Sequence, residues 1–330
     1  MKAAYLEETG PPEVIQYGEL PVPQPQAAQV LVKVGAVAVN PIDTYIRGGA
    51  NYFELPIPFI VGCDLAGTVA AVGPAATRFQ VGDRVWGSNQ GLLGRQGTFA
   101  EFAAVDQAWL YSTPQGVTDE QAAAIALVGI TAHLGLFGRA NLQTGEVIFV
   151  NGGSGGVGST VIQMAKTVGA KVITTAGSDA KVAACRELGA DHAINYKTAD
   201  VAEAVKQAAP EGVDVYWETV RQPDLQRAVE MLAPGGRLIL MAGRDAEPKF
   251  PVGPFYVKGC SMYGFVMFAA NADTQRAAAN DINRWLAEGS LHPQIDRVLP
   301  LAETAAAHRL QEQNTVGQAG TLAGKIVLKP

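Results

Sequence analysis

The chain has 330 residues, of which 48% are hydrophobic and 17% charged, and its formal net charge at pH 7 is −6. This length exceeds what one hydrophobic core usually organises, so we expect two folded domains rather than a single domain or a disordered chain. A negative net charge provides no basic surface to bind the phosphate backbone of a nucleic acid, so nucleic acid is not expected as a partner.

The sequence also argues against a membrane protein and against a secreted protein. The sequence has no uninterrupted apolar run of about 18 residues, the length a membrane-spanning helix needs, and Met1–Glu8 lacks the apolar stretch of a secretory signal. The three cysteines, Cys63, Cys185 and Cys260, are odd in number and far apart, which favours reduced thiols over a disulfide framework. We expect a cytoplasmic protein without membrane association.

The first 121 or so residues predict a compact, mostly β domain. Short runs of branched apolar residues, such as 30–34 and 67–72, are separated by Gly and Pro. From about Asp119 the pattern changes to a helix-like stretch at 121–127, and then to alternating strands and helices as far as about residue 267. That alternation predicts an α/β domain.

The most informative segment is Gly153–Gly158, which reads Gly-Ser-Gly-Gly-Val-Gly. It follows the apolar run 147–150 and precedes the helix-like stretch 159–166. Glycines there let the backbone turn tightly and approach a pyrophosphate, whose charge is met by free N–H groups and by the positive end of the helix. A glycine motif alone is often only a flexible loop, but a strand before it and a helix after it predict a dinucleotide site.

A second strand, 171–176, follows at once and completes a parallel βαβ unit. Enzymes that prefer NAD place an acidic residue at the tip of this strand, about 20 residues past the turn. Here residues 176–178 read Ala-Gly-Ser, which leaves room for a 2′-phosphate with the serine, Lys181 and Tyr196 as partners. We therefore expect NADPH. Asp179 would repel a phosphate if it turned inward, and Lys181 and Tyr196 can equally be a solvated helix residue and a half-buried strand residue.

The remaining elements follow in chain order. Branched and aromatic residues predict further buried strands at 213–217, 236–241 and 261–265. The tail then predicts two helices and one strand, at 274–288, about 302–313 and 325–328. We expect this tail to return to the N-terminal domain.

Five segments in this order carry a resemblance that covers essentially the whole chain: Val39–Gly49, Gly62–Val69, Val81–Val85, the glycine turn and Gly324–Val327. They resemble the medium-chain dehydrogenase/reductase superfamily, and within it the zinc-free quinone oxidoreductase branch similar to zeta-crystallin. The resemblance implies an α/β fold with two domains and an active-site cleft between them. The first is a GroES-like catalytic β domain, 1–121 and 268–330, and the second a Rossmann-type doubly wound parallel sheet, 122–267, that binds NADPH.

The resemblance also bears on metals. Zinc-dependent relatives use a thiolate and an imidazole as catalytic ligands, and these positions match Asn40 and Cys63 here. Three cysteines cannot supply the four-cysteine lobe that holds structural zinc. The histidines are scattered and are expected at the surface or at helix caps: His133, His192, His292 and His308. A catalytic zinc usually needs three protein ligands, so no metal is expected.

Without a Lewis acid, little stabilises the alkoxide of an unactivated alcohol, so the reaction is expected to run as a reduction. The substrate is then a small electrophile, a quinone or an α,β-unsaturated carbonyl, while the protein orients the nicotinamide and excludes water. The resemblance places Tyr45 near the nicotinamide, in contact with the cofactor or with the substrate oxygen, and Asn40 where a zinc ligand would be. The open alternative is that Tyr45 only packs against its neighbours. Arg47 is expected to pair with Asp43.

Further cofactor contacts are carried over from the family onto matching positions. The resemblance implies contacts with the pyrophosphate, with the adenosine phosphate, and with the nicotinamide or its ribose. In that order the residues are Ser154, Gly155, Gly156 and Val157; Gly177, Ser178, Lys181 and Tyr196; and Met241, Ala242, Gly243, Arg244, Gly264, Phe265 and Val266. Thr131 is a further expected contact, on the helix that enters the second domain.

The chain departs from the family pattern at two places. An arginine, Arg221, ends the turn 218–221 where the family commonly has glycine, which affects whatever this loop contributes to the ribose site. The segment 313–320 is longer than the usual turn there. Near the cleft mouth of the family, Tyr52 and Phe53 either stack on a flat substrate ring or anchor the loop.

Three functions remain open at this point. The first is an NADPH-dependent quinone reductase, and the second a 2-enone or enoyl-thioester reductase on the same scaffold. A thioester arm favours basic residues at the cleft mouth, and Arg47, Arg78 and Arg95 are too scattered to argue it. The third is an NADPH-binding structural or regulatory protein, RNA-associated as some relatives are, against which the acidic balance counts. The family also implies a homodimer, with the strand around Tyr263 pairing across a twofold axis.

Overall fold

The computed structural model describes residues 1–50 and 54–330, and these residues divide into two compact units. The first unit contains residues 1–127, 271–289 and 293–330, and the second contains residues 128–270 and 290–292. The chain passes from the first unit to the second within the helix Asp119–His133. The predicted residues Tyr52 and Phe53 lie outside the described part of the chain.

The first unit is built mainly from antiparallel strands. Numbered in chain order over both units, its strands are β1 (Lys2–Leu6), β2 (Gln16–Glu19), β3 (Gln29–Ala38), β4 (Phe59–Ile60), β5 (Leu65–Val72), β6 (Arg84–Gly87), β7 (Phe102–Asp106), β8 (Leu110–Ser112), β15 (Ile295–Pro300) and β16 (Lys325–Lys329). One sheet has the order β2-β1-β4, and the other has the order β15-β16-β3-β5-β6-β8 with β7 also pairing to β3.

The C-terminal tail returns to this unit, as expected. Strand β16 pairs antiparallel with β3, so that Val327 lies opposite Ala38. The helices of this unit are α1 (Pro41–Arg47), the first part of α2 (Asp119–His133), α8 (Ala272–Glu288) and α9 (Thr304–Thr315). Helix α8 has clear sequence boundaries, because the Asn271 side chain accepts a hydrogen bond from Thr274 N at 2.9 Å and Gly289 ends it with φ +72°.

The second unit is a six-stranded sheet, parallel throughout, with the order β11-β10-β9-β12-β13-β14. Its strands are β9 (Val147–Asn151), β10 (Lys171–Ala176), β11 (His192–Asn195), β12 (Val213–Glu218), β13 (Leu232–Leu240) and β14 (Ser261–Gly264). Its helices are the end of α2, α3 (Gly156–Thr167), α4 (Asp179–Glu187), α5 (Val201–Ala208), α6 (Leu225–Met231) and α7 (Val252–Val257). This confirms the predicted Rossmann-type fold.

The strand order fixes where a ligand belongs. The chain runs outward from β9 to β11 and then returns to β12, so the order reverses between β9 and β12, and ligands of such sheets bind beyond the carboxyl ends of the strands at that reversal. The centre of the sheet is buried because its strands are apolar on both faces. Ile148, Phe149 and Val150 are buried, and the rings of Phe149 and Tyr216 lie 4.9 Å apart.

The start of strand β13 differs from the sequence prediction by four residues. Strand β13 begins at Leu232, not at 236, because Leu232 already pairs with Val213 before a register irregularity in the ladder. The Pro-Gly-Gly sequence at 234–236 is typical of a turn. Here these residues lie within β13 and form its irregular stretch.

Helix α2 continues into a π-helical turn at Leu134–Arg139. Together Asp119–Arg139 form a 21-residue helix with a mean hydropathy of 1.5, which by length and composition is enough to cross a membrane. Inside the structure 72% of its most apolar window is buried, as in a core helix of a folded domain.

Candidate functional site

The glycine turn in the second unit is too tightly packed for side chains. Gly152 has φ +93°, and a Cβ atom on it would lie 2.4 Å from Thr219 Oγ1. A Cβ on Gly153 would lie 2.1 Å from Thr174 Oγ1, and one on Gly158 would lie 2.2 Å from Gly152 O. The turn can therefore bring β9 directly into helix α3 only with glycine at these positions.

The turn ends at an open helix N-terminus. Gly155 is the N-cap residue of the 12-residue helix α3, and no side chain caps it. Its neighbours Ser154, Gly156 and Val157 complete the stretch that the sequence assigns to a pyrophosphate. A helix start of this kind offers backbone N–H groups and the positive end of the helix dipole to an anion.

A buried polar network supports the turn from beneath. The Asn151 amide Nδ2 donates to both carboxylate oxygens of Glu218, at 2.9 and 3.1 Å, while its Oδ1 accepts from Thr175 Oγ1 at 3.0 Å. Gly152 N in turn donates to Thr175 Oγ1 at 3.0 Å. The network thus connects the carboxyl ends of β9, β10 and β12 with the first residue of the turn.

Glu218 is buried, and this burial raises its pKa to about 7, although the Val220 N–H and the Asn151 amide stabilise the carboxylate. Asn151, Thr175 and Glu218 are functional candidates that the sequence analysis missed. The sequence holds one signal that could have identified them: each is a polar residue at or near the carboxyl end of an otherwise apolar strand.

The residues predicted for the adenosine phosphate lie together at the tips of β10 and β11. A Cβ on Gly177 would lie 2.6 Å from the Tyr196 hydroxyl oxygen, so these two residues are in contact. Ser178 is the N-cap of α4, and its Oγ accepts a hydrogen bond from Lys181 N at 3.4 Å. Asp179 stays at the same rim, where its carboxylate accepts a hydrogen bond from Asn195 Nδ2 at 2.7 Å.

The residues predicted for the nicotinamide end follow β13 and β14. Met241, Ala242, Gly243 and Arg244 continue directly from β13, whereas Gly264 ends β14 and Phe265 and Val266 follow it. The Phe265 ring lies 6.5 Å from the buried Trp217 ring, edge to face. Thr131 is buried on α2. The structure therefore gathers most predicted cofactor residues at one edge of the parallel sheet, and keeps Thr131 on the helix that enters this unit.

The predicted catalytic residues belong to the first unit and share one short helix. Asn40 is the N-cap of α1, and its backbone N donates to Asp43 Oδ2 at 2.8 Å in a capping box. Tyr45, partly buried, lies one turn further along the same helix. Any shift of the Asn40 cap moves the start of the helix that carries Tyr45.

Asn40 is oriented by two charged side chains. Its Nδ2 donates to Asp64 Oδ2 at 2.8 Å, and its Oδ1 accepts from Lys325 Nζ. Lys325 also donates to Val39 O at 2.7 Å, and the lysine is only 5% exposed. A residue from the last strand thus fixes the amide of a residue from the first third of the chain.

The charges in this buried cluster shift one another's protonation. Burial raises the pKa of Asp43 to about 7, partly offset by the Cys63 thiol. Burial also raises the pKa of Asp64 and lowers that of Lys325, and in each case the opposite charge of the other opposes the shift. The pKa of Cys63 is raised by burial and by both carboxylates. The thiol therefore stays protonated.

These residues do not fit a catalytic zinc. Such a metal needs three deprotonated ligands, whereas the cluster provides an amide, a protonated thiol and the carboxyls of Asp43 and Asp64, both of raised pKa and both facing the amino group of Lys325. In the described ranges, 1–50 and 54–330, no group of three or more His, Cys, Asp or Glu side chains is arranged to hold a metal ion.

Two expectations from the sequence are wrong. Arg47 does not pair with Asp43, because the aspartate caps its own helix, while the guanidinium reaches helix α9 and pairs with Glu312. His308, expected at the surface or at a cap, is fully buried on α9, and neither ring nitrogen has a hydrogen-bond partner among the described residues.

Comparison with known proteins agrees with this architecture. Residues 26–115 match the alcohol dehydrogenase GroES-like domain, and residues 156–283 match the domain described as zinc-binding dehydrogenase. Together these matches cover more than half of the chain, and they confirm the GroES-like and dinucleotide-binding folds.

Three relatives illustrate the similarity. The chain is 32% identical to human quinone oxidoreductase over 330 residues, covering 99% of this chain and 97% of that protein. It is 31% identical to an NADPH-dependent alkenal/one oxidoreductase of Arabidopsis thaliana, covering 100% of this chain and 80% of that protein. The structure of Escherichia coli quinone oxidoreductase complexed with NADPH superposes with a TM-score of 0.87 at 25% identity, covering 100% of both chains.

Proposed function

The chain belongs to the quinone oxidoreductase branch of the medium-chain dehydrogenase/reductase family, and on that premise we propose that it reduces quinones with NADPH. In the balanced reaction NADPH supplies a hydride, the medium supplies one proton, and a quinone leaves as the hydroquinone while NADP⁺ is formed. The family makes the chain an oxidoreductase that uses a nicotinamide cofactor and a small-molecule substrate. The choices of NADPH and of quinones are the proposal.

The observation that carries the substrate class is the Lys325 amino group in the Asn40–Asp64 cluster. The Lys325 amino group, with two carboxyls around it, leaves no position at which a metal could bind an alkoxide. Oxidation of a simple alcohol therefore has no Lewis acid at this place. An electron-poor conjugated carbonyl needs no such help, because it accepts hydride readily.

The choice of NADPH is supported by the tip of β10. No acidic side chain stands at 176–178, the Tyr196 hydroxyl contacts Gly177, and Ser178 caps the helix that carries Lys181 in its first turn. An ammonium and two hydroxyls are donors for a 2′-phosphate. Asp179 is held by Asn195, which keeps its carboxylate engaged with a neutral partner.

We assign the other roles as follows. The N–H groups at Ser154–Val157 bind the pyrophosphate, and the ends of β13 and β14 with Thr131 contact the nicotinamide half. Tyr45 contacts the cofactor or donates a hydrogen bond to the substrate oxygen, and Asn40 holds the helix that carries Tyr45.

The test is the loss of NADPH absorbance with purified, chelator-treated protein and either an ortho-quinone or a 2-enal under matched conditions. Rapid quinone-dependent oxidation without metal is the expected result. If the protein binds NADPH but reduces neither compound, the proposal is wrong and the chain is a cofactor-binding protein without this activity.

The alternative is a reductase of conjugated enals and enones, and the Arabidopsis relative named for alkenals favours it. In that reaction the hydride adds to the carbon–carbon double bond, and a proton from the medium completes the saturated product. Turnover of the enal alone in the same assay selects this function.

We also propose that the protein is a homodimer. Strand β14 is the edge of the parallel sheet, and exposed apolar side chains lie on it and on α7: Met262, Val252, Tyr256 and Val257. An unpaired edge beside an apolar patch is a surface that a second copy can cover.

A further inference from the structure

The hydrogen bonds beneath the glycine turn all run in one direction. Gly152 N donates to Thr175 Oγ1 at 3.0 Å, and the Thr175 hydroxyl donates to Asn151 Oδ1 at 3.0 Å. The Asn151 amide then donates to both oxygens of Glu218, at 2.9 and 3.1 Å. We call Thr175, Asn151 and Glu218 the relay. It begins at the cofactor turn and ends at a carboxylate.

The carboxylate fixes the direction of the relay. An ionised carboxylate only accepts hydrogen bonds, and Glu218 also accepts one from Val220 N at 2.7 Å. The Asn151 side chain must therefore turn its NH2 group towards Glu218, which leaves its carbonyl oxygen for the Thr175 hydroxyl. Because the hydroxyl hydrogen is used there, the Thr175 oxygen is left to accept from Gly152 N.

The relay also fixes which amides of the turn remain for a ligand. Gly152 N is used by Thr175 Oγ1, and Gly153 N donates to Thr175 O at 2.9 Å. Ser159 N donates to Gly155 O at 2.9 Å, which closes the first turn of helix α3. Between these two attachments lie the amides of Ser154–Val157, which are the groups assigned above to the pyrophosphate.

Burial makes the relay sensitive to its weakest member. Glu218 and Thr175 are each only 1% exposed, so water cannot easily replace a lost partner. A buried polar group left without its partner, or facing a group of the same kind, is costly. A change at Glu218 is therefore passed through Asn151 to the turn. The loop after β12 adds a second attachment, because the Thr219 hydroxyl donates to Asn151 O.

We propose that Glu218 is a positioning residue for the dinucleotide: through Asn151 and Thr175 it sets the amides of the glycine turn in the geometry that binds the pyrophosphate. In this role Glu218 does not itself touch the cofactor. The inference rests on the nicotinamide cofactor of the proposed function. It depends neither on the compound that is reduced nor on the choice of NADPH, because NADPH and NADH both carry the pyrophosphate.

The test exchanges donor and acceptor within the relay. Glu218→Gln places an NH2 group against the NH2 group of Asn151, and Asn151→Asp places a second carboxylate against Glu218, so each single variant breaks the relay. In the double variant Asn151→Asp/Glu218→Gln, the new glutamine can donate to the new aspartate, whose other oxygen still accepts from Thr175. The double variant also keeps the total charge.

Calorimetric titration with NADPH and with NADH measures the effect. Burial raises the pKa of Glu218 to about 7, so titration at pH 8 keeps the wild-type carboxylate mostly ionised. Each single variant should raise Kd for both cofactors about tenfold, and the double variant should return to within about threefold of the wild type. The matched control is Glu187→Gln, an exposed acid at the end of α4 in the same unit, which should leave both Kd values unchanged.

A second pair of variants tests the relay without changing its charge. Thr175→Val removes the hydroxyl but nearly keeps the shape of the side chain, whereas Thr175→Ser keeps the hydroxyl. Thr175→Val should weaken the binding of both cofactors, and Thr175→Ser should not.

Hydrogen–deuterium exchange of the cofactor-free protein separates positioning from a general loss of stability. In Glu218→Gln and in Thr175→Val, the amides of residues 153–158 should exchange faster than in the wild type. The amides of β13, in the same sheet, should exchange at the wild-type rate. Equal acceleration in both segments would assign Glu218 a structural role only and overturn the inference.

Two further results would overturn it. Wild-type Kd values in both Glu218→Gln and Thr175→Val would show that the turn binds the pyrophosphate without the relay. A folded double variant that binds as weakly as the single variants would show that Glu218 does not act by matching donor to acceptor. A wild type that binds cofactor but reduces no quinone contradicts the proposed function alone, and the titrations still decide the role of Glu218.

Discussion

Single residues in this chain act through partners that are far away in sequence. Asn151 and Glu218, which brace the glycine turn, are 67 positions apart, and Lys325 reaches Asn40 across 285 positions. Local patterns could predict the turn but not these partners, because hydrophobic periodicity carries no information on which distant polar residue completes a network.

At the residue scale, the proposed preference for NADPH can be tested at Lys181. Lys181→Met removes the only cation among the residues proposed to hold the 2′-phosphate but leaves the hydroxyls of Ser178 and Tyr196. We expect Kd for NADPH to rise about tenfold while Kd for NADH changes little, because only NADPH carries the extra phosphate. Fluorescence titration with both cofactors measures this. Lys206→Met, an exposed lysine on α5, is the control, and an equal effect on NADH would contradict the assignment.

His308 couples stability to pH. Burial, with a smaller contribution from Arg47, lowers its pKa from 6.5 to about 3, so the unfolded chain binds a proton that the folded protein excludes. The stabilising effect is complete above pH 6.5 and is lost as the pH falls towards 3; at pH 5 the loss is about 2 kcal/mol. Urea unfolding at pH 8 and pH 5 should show that His308→Leu reduces this difference by about that amount.

The exposed His192 on β11 provides the control. His192→Gln should retain the wild-type pH dependence. If His308→Leu loses as much stability as the wild type between pH 8 and pH 5, the buried imidazole is not the group responsible.

At the scale of elements, buried strands were the easiest to predict. Strand β10 has the predicted bounds and β12 is one residue longer, because a central parallel strand is a continuous apolar run. The start of β13 was missed, since a Pro-Gly-Gly sequence breaks the pattern without breaking the ladder. The partner of Arg47 and the burial of His308 were also missed, because helix α9 packs beside α1 only in the folded unit.

Strand β16 stabilises its unit through Lys325 as well as through its backbone. Lys325→Met leaves Asp64 and Asn40 without the buried amino group, and removing one member of a buried ionic network costs about 3–5 kcal/mol. We expect a clear drop in Tm and in the free energy of unfolding by urea.

Lys329→Met is the matched change on the same strand, because Lys329 is half exposed and pairs with Glu120 at the surface. It should cost less than 1 kcal/mol, as surface ion pairs do. Equal losses for both variants would mean that the buried network contributes no special stability.

At the scale of the whole molecule, the edge strand β14 predicts association. Light scattering should give a mass near twice 34.6 kDa for the wild type. Tyr256→Glu combined with Val257→Glu places two charges on the exposed face of α7 and should shift the protein towards the monomer. Val81→Glu, at another exposed apolar position in the first unit, should remain dimeric, and a monomeric wild type would contradict the proposal.

The chain order of the two units has a consequence for synthesis on the ribosome. Nearly all of the second unit, residues 128–270, is continuous, whereas the first unit needs β16 from the end of the chain to complete its sheet against β3. The parallel sheet can therefore fold before the first unit is complete. Until β16 has been synthesised, Asp43 and Asp64 lack the Lys325 amino group that opposes their charge. A chain that ends before residue 325 lacks both the strand that completes this sheet and the amino group that binds Asn40, so its first unit stays incomplete however well its second unit has folded.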